Sequence, residues 1–237
     1  QRQMCIRDSY NTVEEANAAV LAPLDAMRSA YNSNFFATLE INTEYCYPKG
    51  VYQTYQQYNG FVNATHITRS DSNWQSLYKA IMFCNTAIER IPNATDMTEE
   101  EKAAYLEELR FLRGFNYFNL VKYWGGVPLK TDKNITEWNI PKSSKEEVYN
   151  FVIEDLKYAL ENCPDKKRYL ATPDKNAVRV CLADVYMHTG DYAEAKRLSE
   201  EVVKSGAYQL VQVEEARDFD KAVSYTHLRA HETSLHL

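Results

Sequence analysis

The chain has 237 residues, room for one large domain or two small ones around a sizeable core, and its 27 Lys+Arg against 33 Asp+Glu leave a net charge of −6. That acid surplus offers no basic field to hold phosphates, which argues against nucleic acid as a partner, and no apolar run is long enough to cross a bilayer as a helix. The outlying count is 18 tyrosines beside 7 glycines: tyrosine combines stacking surface with a hydrogen-bonding tip, which suits a binding surface.

Residues 1–9, QRQMCIRDS, and 223–237, VSYTHLRAHETSLHL, share neither periodicity nor composition with what lies between them. They resemble translated sequencing-adapter read-through, so both are expected to lie outside the fold, with residues 10–222 forming one α-helical domain. On this reading the four-residue spacing of His227 and His231 carries no metal chemistry, although on a helix it would place two imidazoles on one face.

Thr12-Val13-Glu14-Glu15 is a capping-box pattern that predicts a helix over 12–31, with a bend where Pro23 removes a hydrogen bond. Residues 32–69 lack helical period and carry Asn, Gly, Thr and Ser at short intervals, which predicts a long irregular excursion. Tyr45, Tyr47, Tyr52, Tyr55 and Tyr58 cluster within it. Flat rings with polar tips suit the apolar C–H faces and hydroxyl rims of sugars, so these five are the candidate ligand-binding residues.

From 72 to 91 the apolar positions Trp74, Leu77, Tyr78, Ile81, Met82, Ile88 and Ile91 recur at helical spacing until Pro92 stops them. A second capping box, Thr98 to Glu101, opens a helix over 99–124 that ends at Gly125-Gly126; its aromatic second half predicts a central place in the stack. Gly114 inside it costs about 1 kcal/mol against Ala, which close approach of a neighbouring helix would explain. A connector containing Trp138 leads to a third box, Ser144 to Glu147, and a helix over 145–162. Helices over 175–189 and 193–205 follow, joined at Gly190-Asp191-Tyr192, with Ala183, Tyr186 and Ala195 placed as in a tetratricopeptide unit. One such unit cannot bury its own apolar face, so the expected fold class is all-α: a tetratricopeptide-like helical-hairpin solenoid with a long irregular loop excursion.

The string LRFLRGFNYFNLVKYWGGVPL, Leu109 to Leu129, resembles the best-known motif of the SusD/RagB family of outer-membrane nutrient-binding lipoproteins. Upstream, W-x-x-L-Y-x-x-I-x-x-C-N from Trp74 to Asn85 resembles the family helix that precedes it; downstream, the hairpin ending in Gly206-x-Tyr208-x-Leu210 resembles the family's tetratricopeptide turn. The resemblance implies a truncated SusD-like fold, incomplete at both ends, because family members are longer. It also implies binding of an oligosaccharide or other nutrient at the cell surface and delivery to a SusC-like TonB-dependent transporter. Membrane association would come only through a lipid anchor outside this stretch, and any ligand site here would be partial. The alternative is a tetratricopeptide adaptor that binds protein and no sugar.

Catalytic readings find little support. The acid pairs Glu14-Glu15, Glu99 to Glu101 and Glu146-Glu147 each fall in the first turn of an expected helix, where capping and the helix dipole explain them without a glycosidase role. No phosphate-loop, dinucleotide or H-E-x-x-H motif occurs, so no cofactor is expected. The five cysteines form no C-x-x-C pair; no metal is expected, and Cys84 and Cys181 read as small hydrophobes on helix faces. Arg110 and Arg113, within an aromatic helix, are expected to stack on rings or pair with buried carboxylates.

Overall fold

A computed structural model describes residues 10–31, 35, 49–50, 52–53, 64–163 and 172–208. Among them are six α-helices: α1 Val13–Ala30, α2 Ala64–Arg90, α3 Glu99–Trp124, α4 Lys145–Asn162, α5 Lys175–Thr189 and α6 Tyr192–Lys204. The one β-type pairing among the described residues is an isolated antiparallel bridge between Pro128 and Lys142. Both terminal stretches set apart above lie outside the described residues, as does most of the 32–69 excursion.

The three capping boxes start their helices as the sequence predicts. Thr12 Oγ1 accepts from the Glu15 N–H at 3.3 Å while Glu15 returns a bond to the Thr12 N–H at 3.1 Å. Thr98 with Glu101, and Ser144 with Glu147, make the same reciprocal pair. Each box satisfies amide donors that the first helical turn cannot pair. Helix α1 is continuous through Pro23, whose ring is buried; the packing of Ala16, Val20, Ala26 and Ala30 holds the turns on either side of the missing N–H. One expectation needs correction. Helix α2 begins at Ala64, eight residues before the predicted start, so 64–69 is helical. Thr65, Thr68, Ser70 and Asp71 are weak helix formers without apolar period, yet adding residues to an existing helix costs only tenths of a kcal/mol each, roughly.

The fold divides into two compact units at the Asn162–Cys163 junction. In the first, α1 packs on α2, α2 on α3, and α3 on α4, with α1 also touching α3. Helix α3 is therefore the central element, and Tyr105, Leu109, Leu112, Arg113, Gly114, Tyr117, Phe118, Leu120 and Val121 are all buried. A helix buried on nearly every side needs apolar residues all round, which is why its second half has no clear stripe. Gly114 sits against α4: a Cβ there would lie 3.3 Å from Asp155 Cβ and 3.4 Å from Leu156 Cγ. The neighbouring-helix explanation for this glycine holds.

Aromatic rings continue across this unit in a chain of edge and tilted contacts. Tyr31 meets Phe35 at 4.7 Å, Phe35 meets Tyr123 at 5.2 Å, and Trp124 meets Trp74 edge-on at 5.3 Å. Trp74 then contacts Tyr78, Tyr78 contacts Tyr117, and Tyr117 contacts Phe151. Such pairs contribute about 0.5–1.5 kcal/mol each beyond area burial.

The second unit contains the α5–α6 hairpin. Asp174 caps α5 by accepting from the Ala177 N–H at 2.7 Å, and Asp191 caps α6 through the Glu194 N–H at 3.2 Å. Val178, Cys181, Leu182, Ala183, Val185 and Tyr186 of α5 are buried, as are Ala195 and Leu198 of α6. The Tyr208 hydroxyl reaches both oxygens of Asp174, at 3.2 and 3.3 Å, so the Gly-x-Tyr turn ties the hairpin's exit to its entrance.

Candidate functional site

Three of the most distinctive sequence features, the Asn85 helix, the Arg-aromatic helix and the Gly-Gly-Val-Pro-Leu turn, meet at one buried hub. Arg113 Nε donates to Asp155 Oδ2 at 2.7 Å, and Nη2 donates to Asp155 Oδ1 at 2.8 Å. Nη1 donates to Asn85 Oδ1 at 2.8 Å and to Asp132 Oδ1 at 2.6 Å. The guanidinium carbon lies 4.9 Å from the centre of the Phe151 ring. Arg110 adds a longer contact to Asp155 at 3.4 Å and lies over Tyr158 at 4.3 Å. Both arginines thus stack on rings and pair with a buried carboxylate, as the aromatic helix suggests.

The charges are tuned accordingly. Burial disfavours the Arg113 cation, but Asp155 and Asp132 outweigh it and hold its pKa above the ordinary arginine value. Partial burial pushes Asp132 up, yet the Arg113 hydrogen bond and charge win and hold its carboxyl below the usual range. Burial pushes the Asp155 carboxyl up against the pull of the two guanidinium groups.

Around this hub the connector after α3 is fastened to the stack by side chains. The Lys130 carbonyl accepts from Asn85 Nδ2 at 2.8 Å and from the Tyr117 hydroxyl at 2.7 Å, and the Pro128 carbonyl accepts from the Tyr78 hydroxyl at 2.7 Å. The two glycines of the turn serve different needs. Gly125 caps α3 at φ +71°, in the left-handed half of backbone space, whereas a Cβ on Gly126 would fall 2.1 Å from the Ser143 carbonyl oxygen. The motif by which the sequence is most recognisable therefore builds architecture, and four of the five Arg113 N–H donors are already committed to protein acceptors.

Of the five tyrosines predicted to touch ligand, Tyr45, Tyr47, Tyr55 and Tyr58 lie outside the described residues. Tyr52 is half-buried, and its N–H donates to the Lys49 carbonyl at 3.4 Å. Glu15, Glu101 and Glu147 are the capping partners of their helices. Cys84, Cys163 and Cys181 are free and buried, and burial pushes the Cys84 thiol pKa far up. Among the described residues no group of three or more His, Cys, Asp or Glu side chains could hold a metal ion, and no helix is long and apolar enough to cross a membrane.

One side chain outside the hub stands apart. Trp138, in the connector between α3 and α4, is 93% exposed. Lys130 Nζ lies over its ring at 5.6 Å from the centroid. Its sequence context, a single tryptophan between exposed Glu137 and Asn139, was the only signal available, and periodicity reading passes over it because the connector has no period.

Residues 2–187 match a SusD-like family described as "Starch-binding associating with outer membrane". SusD-like protein P38 of Formosa agariphila is 28% identical over 214 residues, 85% of this chain and 40% of its own length. A SusD-like protein of Bacteroides ovatus is 28% identical over 171 residues, 67% of this chain and 30% of its own length. The chain thus spans well under half of these relatives. Among solved structures, a SusD-like protein of Bacteroides fragilis superposes at TM-score 0.69 with 26% identity, covering 86% of this chain and 40% of the other. A SusD superfamily protein of Bacteroides vulgatus gives 0.74 at 20% identity, over 85% of this chain and 45% of its own, a likeness of fold. A laminarin-binding SusD-like protein gives 0.66 at 23% identity, covering 81% and 44%. Because this match runs from residue 2 through the hub and on into α5, the chain belongs to the SusD-like family.

Proposed function

We propose that the protein of which this chain is a part binds a glycan or similar nutrient without catalysis, at the outer face of the outer membrane, and delivers it to a SusC-like TonB-dependent transporter. The observation that carries this reading is the match of residues 2–187 to a family described as starch-binding and outer-membrane associated. The naming of one structural relative as laminarin-binding points the same way. One carboxylate of each acid group, Glu15, Glu101 and Glu147, serves as a helix cap, which fits a non-catalytic reading. Membrane attachment in this proposal is through a lipid anchor.

The ligand contacts we assign to this chain are in the Tyr45, Tyr47, Tyr52, Tyr55 and Tyr58 cluster, where rings with hydroxyl tips suit a sugar face. The test is calorimetric titration of malto-, laminari-, cello- and xylo-oligosaccharides against the protein and its Tyr→Ala variants at those five positions. Saturable binding that weakens on substitution, with no hydrolysis product by chromatography, supports the reading. Binding that no substitution affects removes the cluster from the site. If no oligosaccharide binds, a tetratricopeptide adaptor recognising protein becomes the better account.

A further inference from the structure

The connector that carries Trp138 is tied together by hydrogen bonds up to Glu137. Asn134 closes its turn, accepting from the Thr131 N–H at 2.7 Å through Oδ1 and donating to the Leu129 carbonyl at 3.0 Å through Nδ2. The Glu137 N–H donates to the Asn134 carbonyl at 3.0 Å, and Lys130 Nζ donates to the Glu137 carbonyl at 2.9 Å. At the root, Asp132 is held by the buried Arg113 and the Lys130 carbonyl by Tyr117 and Asn85. This segment holds Trp138 at 93% exposure, and among the described residues the next most exposed large apolar side chain, Val203, is at 80%.

An indole offers roughly 150–250 Å² of surface, and leaving it in water forgoes a large hydrophobic gain. The patch is one ring wide, because Thr136, Glu137 and Asn139 beside it are polar and exposed. That is far below the ~800 Å² per partner of a standard protein interface, but it matches one flat C–H face of a pyranose. Lys130 Nζ, bound to the Glu137 carbonyl, lies over one face of the ring at 5.6 Å from its centroid, which leaves the opposite face for a sugar.

We infer that the face of Trp138 opposite Lys130 is a stacking platform for one pyranose ring of an oligosaccharide. The inference rests on the glycan-binding reading above and adds a contact separate in sequence from the Tyr45–Tyr58 cluster. Hydrogen bonds formed before binding reduce the ordering cost when ligand arrives, so even one stack gains affinity.

The test follows the indole N–H signals of the 237-residue chain by NMR, during titration with maltohexaose, laminarihexaose and cellohexaose into the millimolar range. The chain has 3 tryptophans, so the Trp138 signal is assigned by its loss in Trp138→Phe. The expected result is a saturable shift of the Trp138 signal with at least one sugar, and about tenfold weaker binding in Trp138→Ala at an unchanged melting temperature. Trp138→Phe should keep part of the affinity. Saturable binding that leaves the Trp138 signal and the Trp138→Ala affinity unchanged overturns this inference while the glycan reading stands. A melting temperature lowered by several degrees in Trp138→Ala also overturns it, because the ring would then be packing against protein. No shift of the Trp138 signal and no binding heat with any sugar also overturns this inference.

Discussion

Arg113 of α3 clasps Asp155 of α4 through two parallel hydrogen bonds of 2.7 and 2.8 Å, with side-chain exposures of only 2% and 1%. Breaking such a pair by removing one partner strands the other charge, which costs about 3–5 kcal/mol. Arg113→Met should lower the unfolding free energy by about that amount in a urea titration. The double variant Arg113→Met/Asp155→Leu should recover part of the loss, although Asp132 and Asn85 still lose their donor. Arg113→Lys should behave more like the Met variant than like wild type, because an ammonium lacks the planar fork that serves three acceptors at once.

The Arg113–Asp132 contact makes part of the stability pH-dependent. Arg113 holds the folded-state pKa of Asp132 below its ordinary value. Its contribution is therefore complete above the unfolded value of about 4 and is lost as the pH falls through the folded value. Burial shifts Asp155 in the opposite direction, so the wild-type curve mixes both effects. The difference between wild type and Asp132→Asn reports the Asp132 contribution: it should be full above about pH 4 and close towards zero as the pH falls through the folded-state value. Denaturant unfolding across that range checks it, and a difference independent of pH would show that the pairing contributes nothing.

At the Gly125-Gly126 turn, Gly126→Ala places a methyl group against the Ser143 backbone, which cannot swing aside as a flexible side chain can. The connector must shift, with an expected loss of about 1–3 kcal/mol or more. Gly114→Ala presses on Asp155 Cβ at 3.3 Å; a helix-propensity gain of about 1 kcal/mol offsets much of the strain. The expected ranking by melting temperature is wild type, then Gly114→Ala, then Gly126→Ala.

Thr98→Ala removes the acceptor for the Glu101 N–H and one half of a reciprocal cap. The expected loss is about 1 kcal/mol, and Thr98→Ser should retain most of the stability. Hydrogen exchange should show faster opening confined to the first turn of α3, because a cap acts within one turn.

Much of the fold was legible because helix ends are decided locally. Thr12, Thr98 and Ser144 announce their helices through partners three residues away, and Pro92 and Gly125 stop theirs by covalent and steric rules that hold in any surroundings. The early start of α2 at Ala64 was not legible, since its first turns carry no period or cap signal. Four of the five candidate tyrosines lie outside the described residues, and Tyr52 alone is placed, half-buried.

By itself, the sequence determined the helical class, the helix boundaries set by caps and stops, and the family, because these depend on neighbours within a few positions and on the order of short motifs. Tertiary structure alone decided which partners those motifs serve. Arg113 finds Asp155 across 42 positions and Asn85 across 28, and Gly126 must be glycine because Ser143 returns to it through the connector. Of the tryptophans, Trp74 lies within the ring network of the first unit while Trp138 stands in solvent. Residue type does not distinguish these cases; what distinguishes them is which surfaces the helix packing closes, and that depends on contacts distant in sequence.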